Sequence, residues 1–212
     1  MRRLVHVLLW LGSLTAAAAQ ADTLWVPYRG GMDLREGIYF DFRAYRLNAP
    51  SVPQDRLRDD QGLPISDVRG ALSKLYFQPD SGALQAVRVD RLWGFCHNDV
   101  IYVNGGNGFY RIGLIGGLSH LVVEQSYVDW DPYGFGYPYG SRTRTALVHQ
   151  LLHMETGAML PFNASGMDQA LGSDPLLQEE FRALPKKQRN SDEALFRFLR
   201  LYNERQPLLF PE

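Results

Sequence analysis

The feature that most constrains the fold of this chain is a regular alternation of apolar runs and turn signals between residues 72 and 125. The apolar runs lie at 72–78, 84–89, 92–96, 100–104, 109–115 and 118–125. Turn-forming residues separate them at 79–82, 97–99, 105–108 and 116–117. Short runs rich in Val, Ile, Tyr and Phe, divided by Gly, Asn, Asp and Pro, are typical of strands joined by hairpins. The pattern predicts an antiparallel β-meander, folded as a curved sheet or a partial barrel.

Other segments extend this pattern on both sides. A further hairpin is predicted from 146–153 and 158–162. Within 118–125 the even-numbered residues should share one face and the odd-numbered residues the other, because strand side chains alternate. Residues 37–48 predict a short strand followed by a short helix, which the prolines after it would end. Residues 54–70 are polar and charged and predict a surface loop.

The C-terminal part of the chain predicts helices. Asp174-Pro175 is a favourable N-cap and first-turn pair for a helix that runs to about Leu184. Ser191 caps a second helix, on which Leu195, Phe198, Leu199 and Tyr202 form an apolar stripe. The fold class is therefore α+β, with a β-rich domain at 22–165 and a small C-terminal helical element at 166–212 packed on it.

The first 21 residues have the order of a secretory signal peptide. Arg2 and Arg3 precede an apolar stretch at 4–14, and Ala19-Gln20-Ala21 fits the cleavage rule. The apolar stretch is shorter than the ~20 residues that a membrane-spanning helix needs. No cysteine lies near the cleavage site to carry a lipid anchor, and no later run is long enough to span a membrane. We expect Sec-type export to the periplasm or the extracellular space.

Charge and cysteine content exclude some classes of function. The chain has 22 Lys+Arg and 23 Asp+Glu, and removal of Arg2 and Arg3 leaves a mature net charge of −3. Nucleic-acid-binding proteins normally carry a basic surface, so we expect no nucleic-acid partner. Cys96 is the only cysteine, so no intramolecular disulfide can form. We expect no cofactor, and stability must come from packing.

The segment 126–145 interrupts the strand pattern with glycine, proline and aromatic residues and predicts a long loop. Exposed aromatic rings and carboxylates can stack on sugars, grip a peptide or hydrogen-bond hydroxyl groups. The candidate ligand-binding residues are Asp129, Trp130, Asp131, Tyr133, Phe135, Tyr137 and Tyr139. We expect a glycan or a peptide as the partner of this loop.

Two histidines offer a competing chemistry. His149 and His153 are four residues apart, which on a helix would place both on one face for zinc. The segment has the pattern of a strand, however, and strand spacing separates the two by about 13 Å. The position after His149 holds Gln150, which cannot serve as the general base of a zinc protease. A cysteine nucleophile at Cys96, served by His120 from another strand, is a further hypothesis.

Several short phrases of the chain together resemble one group of proteins. They are Glu36-Gly37-Ile38-Tyr39-Phe40-Asp41-Phe42, Asn48-Ala49-Pro50-Ser51, Leu92-Trp93-Gly94-Phe95-Cys96, Ile101-Tyr102-Val103-Asn104, Phe109-Tyr110-Arg111-Ile112, Asp174-Pro175-Leu176 and Leu201-Tyr202-Asn203-Glu204-Arg205-Gln206-Pro207-Leu208. The chain resembles uncharacterised secreted proteins of Bacteroidetes-type bacteria over most of its mature length. The resemblance implies a Gram-negative periplasmic or surface setting, and it implies no activity.

The function that these patterns favour is that of a non-enzymatic exported binding protein whose contact surface is the aromatic loop. The first alternative is a metal-assisted hydrolase that uses His149, His153 and a carboxylate such as Asp129 or Glu155. The second alternative is a structural module that stabilises a partner. Deletion of residues 128–140 tests the favoured function: it should abolish ligand binding and leave the melting temperature nearly unchanged, whereas a large loss of stability would show that the loop belongs to the core.

Overall fold

The structure is a computed structural model that describes residues 24–30, 32–80, 82–130 and 141–211. The strands are β1 Trp25–Pro27, β2 Gly37–Tyr39, β3 Val52–Pro53, β4 Leu57–Arg58, β5 Tyr76–Phe77, β6 Gln85–Ala86, β7 Gly94–His97, β8 Val100–Asn104, β9 Phe109–Leu114, β10 Leu118–Trp130, β11 Ser141–His153, β12 Met159–Pro161 and β13 Leu209–Pro211. The α-helices are α1 Phe42–Arg46, α2 Val68–Ala71, α3 Ala164–Ala170, α4 Pro175–Ala183, α5 Lys186–Arg189 and α6 Asp192–Arg205.

An antiparallel sheet of eight strands forms the body of the protein. Its order is β12-β11-β10-β9-β8-β7-β2-β3. The strands from β7 to β12 follow one another in sequence and in space, which is a meander. β2 and β3 extend the sheet at the β7 side. The sheet is open, since β12 and β3 form different edges. The predicted α+β class with an antiparallel meander is confirmed.

The turns of the meander explain why the strands pair at these places. Asn98 and Asp99 join β7 to β8 with φ angles of 49° and 57°. Two consecutive residues with positive φ form the type I′ turn, whose twist suits a hairpin and which Asn and Asp tolerate. Gly106, with a φ of 95°, lies in the next turn, where the Gly105 N–H donates to the Gly108 carbonyl at 2.8 Å.

The segment 54–91 differs from the prediction in two ways. The expected strands at 72–78 and 84–89 reduce to β5 and β6, and these form a separate three-stranded sheet with β4 in which β5 is the central strand. The expected surface loop at 54–70 contains β4 and α2 and buries three side chains, Leu57, Ile65 and Val68. Because these apolar residues lie among charged neighbours in the sequence, the local composition does not indicate their burial. They pack with Phe95 and Leu92 of the main sheet region.

The main sheet separates two apolar clusters. Leu118 and Leu151 pack with the C-terminal helices on one face. Leu121, Val123 and Leu152 pack on the other face, against residues of the N-terminal segment and β7–β9. The alternation predicted for 118–125 is thereby observed, because each strand directs successive side chains to opposite faces.

The C-terminal helices begin and end close to the predicted positions. The Asp174 carboxylate accepts from the Leu177 N–H at 3.0 Å, and the Ser191 hydroxyl accepts from the Ala194 N–H at 3.3 Å. Both side chains therefore satisfy a backbone donor that the first turn leaves without a helical partner. After α6 the chain forms β13, which pairs with β1 in a two-stranded sheet. The sequence pattern did not indicate this last strand.

Candidate functional site

The most distinctive surface feature is a two-stranded ribbon that continues past the rest of the sheet. β10 and β11 each have 13 residues and pair along their whole length. β9 pairs only with His120 and Leu121 of β10, and β12 pairs only with Gln150–Leu152 of β11. From Glu124↔Leu147 to Trp130↔Ser141 the strands pair with each other alone among the described residues. We call residues 124–130 and 141–147 the arm.

The arm corrects the predicted loop at 126–145. Its residues 126–130 and 141–145 are paired strand residues. Tyr127, Val128, Thr143 and Thr145 are aromatic or β-branched, which favours strands. Every glycine and proline of the tract lies between residues 132 and 140. The positions of these glycines and prolines favour a loop prediction that is limited to the central part of 126–145.

Hydrogen bonds on both sides hold the base of the arm. Asn107 Nδ2 donates to the Glu124 carbonyl at 2.7 Å, and the Tyr110 hydroxyl lies 3.2 Å from the same oxygen. On the other side the Phe162 N–H donates to the His149 carbonyl at 3.1 Å. Beyond these bonds the arm pairs with no neighbouring strand of the described chain, and its six residue steps span roughly 20 Å.

The arm exposes apolar side chains that a body strand would bury. Leu147 is 74% exposed, Val128 61% and Tyr127 49%. Val128 lies opposite Thr143 on one face, and Tyr127 lies opposite Arg144 on the other. Exposed apolar groups on both faces, with two outer edges that lack strand partners in the described chain, suit contact with another molecule.

The predicted ligand-binding residues fall into two sets. Asp129 and Trp130 are the last two residues of β10, opposite Arg142 and Ser141. The others, Asp131, Tyr133, Phe135, Tyr137 and Tyr139, lie outside the described residues. The sequence analysis did not select Tyr127, Val128 or Leu147, which the structure exposes on the arm.

The structure gives His149 and His153 different partners. His149 Nδ1 lies 3.0 Å from His120 Nε2, so one nitrogen donates to the other. His153 Nε2 lies 3.5 Å from the Tyr202 hydroxyl, which also bonds Ser173. In the part of the chain that the structure describes, no three His, Cys, Asp or Glu side chains are grouped to hold a metal. The two predicted metal ligands are therefore not brought together.

The His120–His149 pair lies where the sheet meets the helices. His120 is 8% exposed and its ring packs edge-on against Phe162 and Phe196, with centroids 4.8 and 5.1 Å away. Burial lowers the pKa of His120, and the neighbouring His149 lowers it further. Burial also lowers the pKa of His153. Both imidazoles are therefore held neutral in the folded protein near pH 7.

We expect these histidines to make folding less stable in mild acid. The unfolded chain protonates near its ordinary pKa of about 6.5, above the folded pKa, so stability is complete above that pH and falls below it. The slope can reach about 1.4 kcal/mol per pH unit for each histidine. Urea unfolding of wild type and His120→Gln between pH 7.5 and 5 measures it. An equal pH dependence in both proteins would contradict this assignment.

The hypothesis of a cysteine nucleophile finds no supporting geometry. Cys96 is fully buried, and its thiol lies 3.8 Å from the Leu34 carbonyl. Burial raises the pKa of the Cys96 thiol to about 12, so it carries no thiolate near neutral pH. Cys96 packs in the cluster on one side of the sheet, whereas His120 contacts His149, Phe162 and Phe196 on the helical side.

Comparisons with protein-family models, with curated proteins and with solved structures found no match to this chain. Within residues 24–211, as far as they are described, none of the helices has the length and apolar character to span a membrane.

Proposed function

We propose that this chain is a non-enzymatic binding protein whose contact surface is the arm. The observation that carries the proposal is the extension of β10 and β11 beyond every neighbouring strand that the structure describes. The arm side chains that the structure describes are exposed apart from the half-buried Ala146, and they include the apolar Tyr127, Val128 and Leu147. Contact with a partner would bury this apolar surface.

The edges of the arm favour an extended polypeptide over a glycan. A strand edge without a neighbour exposes backbone N–H and C=O groups, and these can pair with an added strand. Such strand addition takes its affinity from main-chain bonds and its selectivity from alternate side chains. The arm has two edges of this kind, and its exposed apolar side chains lie on both faces. We therefore infer that the partner presents an extended peptide segment.

We further propose that the protein acts outside the cytoplasm. This part of the proposal depends on residues 1–21, which lie outside the described residues and have the sequence of a signal peptide. No observation favours the metal-assisted hydrolase over the binding protein, since His149 and His153 have separate partners.

Replacement of residues 127–144, which include the outer part of the arm, by a tight turn tests the proposal. In this variant Asn-Gly replaces residues 127–144 and connects Ser126 to Thr145, which are cross-strand partners. An Asn-Gly turn is of type I′ and suits a two-residue hairpin. We expect the melting temperature to stay within about 3 °C of wild type, because residues 127–130 and 141–144 pair with no other strand of the described chain. Binding to an array of random 12-residue peptides should be lost.

Two point variants form a matched pair for the same array. Leu147→Ser on the arm should weaken peptide binding, whereas Leu176→Ser, at a residue of α4 with 72% exposure, should leave it unchanged. N-methylation of alternate peptide nitrogens should abolish binding if main-chain pairing provides the affinity. Binding of glycans but not peptides would contradict the partner class. Binding that survives arm replacement, or no binding by the intact protein, would overturn the proposed function.

A further inference from the structure

A cleft of about 710 Å³ lies beside the two-stranded sheet of β1 and β13, and no residue of the arm lines it. Val26 and Pro27 of β1 and Pro211 of β13 form one wall. The segment that follows β1 and the second residue after α1 complete the lining, with Arg29, Gly30, Met32, Asp33, Arg35 and Asn48. The volume falls within the range of small-molecule sites, which is about 300–1,000 Å³.

Asn48 supplies a buried polar group at this cleft. The residue is 7% exposed and has a φ of 46°, a conformation that asparagine tolerates better than most residues. Its Oδ1 accepts from the Arg35 N–H at 2.9 Å. Because that bond assigns the oxygen to Arg35, the Nδ2 group is the end that remains for the cleft. Nδ2 forms no hydrogen bond with another described residue and is not one of the fully buried polar atoms without a partner, so it keeps access to solvent at the cleft.

Two guanidinium groups accompany this donor. Arg29 and Arg35 line the cleft, and neither side chain forms an ion pair or a hydrogen bond with another described residue. Asp33 is the one acidic residue of the lining. The lining therefore has a net positive charge, and three of its side chains carry N–H donors. Val26, Pro27, Met32 and Pro211 add apolar surface next to these donors.

The backbone around the cleft is held in place before any ligand binds. The Leu34 N–H donates to Asp99 Oδ1 at 3.1 Å, and the Leu34 side chain is 1% exposed. The Met32 N–H donates to the Arg29 carbonyl at 3.0 Å and closes a turn at the cleft. A preorganised site avoids part of the ordering cost of binding.

We propose that this cleft binds a small amphipathic anion, a carboxylate attached to a short apolar body. Asn48 Nδ2 and the two arginines would donate to the carboxylate, and the proline, valine and methionine side chains would contact the apolar body. The carboxylate matches the N–H donors of the lining, and the apolar body matches its apolar side chains. The site is independent of the arm, so failure of either proposal leaves the other standing.

Isothermal titration calorimetry with octanoate tests the proposal. Three control probes are used: acetate lacks the apolar body, octanol lacks the charge, and octylamine carries the opposite charge. We expect octanoate to bind more tightly than each of these three. Asn48→Asp should keep the backbone conformation and the bond to Arg35, but it replaces the amide donor by a carboxylate. Loss of a hydrogen bond to a charged group, together with this repulsion, should weaken octanoate binding at least about tenfold.

If Asn48→Asp fails to fold, substitutions of the two exposed arginines still test the proposal. Arg29→Gln and Arg35→Gln should each weaken octanoate binding by about fivefold. Each should also make the octanoate affinity less sensitive to salt concentration, because one charge of the cleft is removed. Arg43→Gln, which removes the same charge from α1 outside the cleft, should change the octanoate affinity less than twofold. Absence of octanoate binding at millimolar concentration would overturn the proposal. Equal binding of octanoate and octanol, or equal effects of Arg29→Gln and Arg43→Gln, would also overturn it.

Discussion

Gly166→Ala is expected to lower the free energy of unfolding by about 3 kcal/mol, the upper end of the usual range for overpacking. Gly166 is buried in the first turn of α3, and a Cβ there would overlap the backbone carbonyl oxygen of Pro161. That oxygen ends β12, so it cannot move aside without disturbing the edge of the main sheet. The close approach of α3 to the sheet therefore depends on glycine. Guanidinium unfolding followed by circular dichroism measures the change.

Gly172→Ala is the matched control for this prediction. Gly172 lies in the short 3₁₀ segment that follows α3, and nothing lies within 4 Å of a Cβ placed on it. Alanine there should leave stability within about 0.5 kcal/mol of wild type or raise it slightly, since it restricts the unfolded chain. Equal losses from the two substitutions would show that helix propensity, and not contact with Pro161, decides the effect.

Tyr45→Ala is expected to cost about 3–5 kcal/mol of stability, as deletions of large buried aromatic side chains do. Tyr45 is 1% exposed and its ring stacks on Trp93, with centroids 4.8 Å apart. The same ring meets Tyr39 and Phe210 edge-on at 5.8 and 5.5 Å. It therefore joins α1 to β2, to the loop before β7, and to β13. Urea unfolding at constant pH measures the loss.

Tyr45→Phe should have the opposite sign. The Tyr45 hydroxyl is buried without a hydrogen-bond partner among the described residues, and burial raises its pKa. An unsatisfied buried polar group costs free energy, so its removal with the ring retained should raise stability by about 1 kcal/mol. If Tyr45→Phe destabilises the protein as Tyr45→Ala does, the hydroxyl has a partner and this account of the cluster is wrong.

Much of the fold follows from signals that lie within a few residues of one another. The turn residues Asn98, Asp99 and Gly106 allow the positive φ angles that their hairpins require. Asp174 and Ser191 cap the two main helices through donors three residues further along the chain. Such signals depend on neighbours in sequence, so they could be interpreted without the tertiary structure.

Isolated core residues were harder to foresee. Leu57, Ile65 and Val68 lie among charged residues, and their burial depends on Phe95 and Leu92, which follow about 25–40 positions later. The same limit applies to β13, because its partner strand β1 lies at the other end of the chain. Local composition contains no information on such distant partners. The mostly polar composition of 54–70 therefore predicts a surface loop, although three of its side chains are buried.

The candidate site shows where composition misled the prediction. Glycine and proline between 132 and 140 predict a loop over all of 126–145, yet pairing of β10 with β11 extends to Trp130 and Ser141. The aromatic and β-branched residues of the arm suit a strand, so the local evidence for its extent was present. The absence of a covering strand was not predictable, because the ends of β9 and β12 decide it.

The sequence by itself determined the succession of strands in the meander and the starts of the two main helices, because strand propensity, turn formation and helix capping depend on nearby residues. Only the tertiary structure decided which side chains meet. It joined His149 to His120, 29 positions away, instead of to His153, and it placed Asn48 Oδ1 on the Arg35 N–H so that Nδ2 is left for a cleft. Strand register and helix packing set these contacts, and both result from the cooperative burial of residues far apart in the chain.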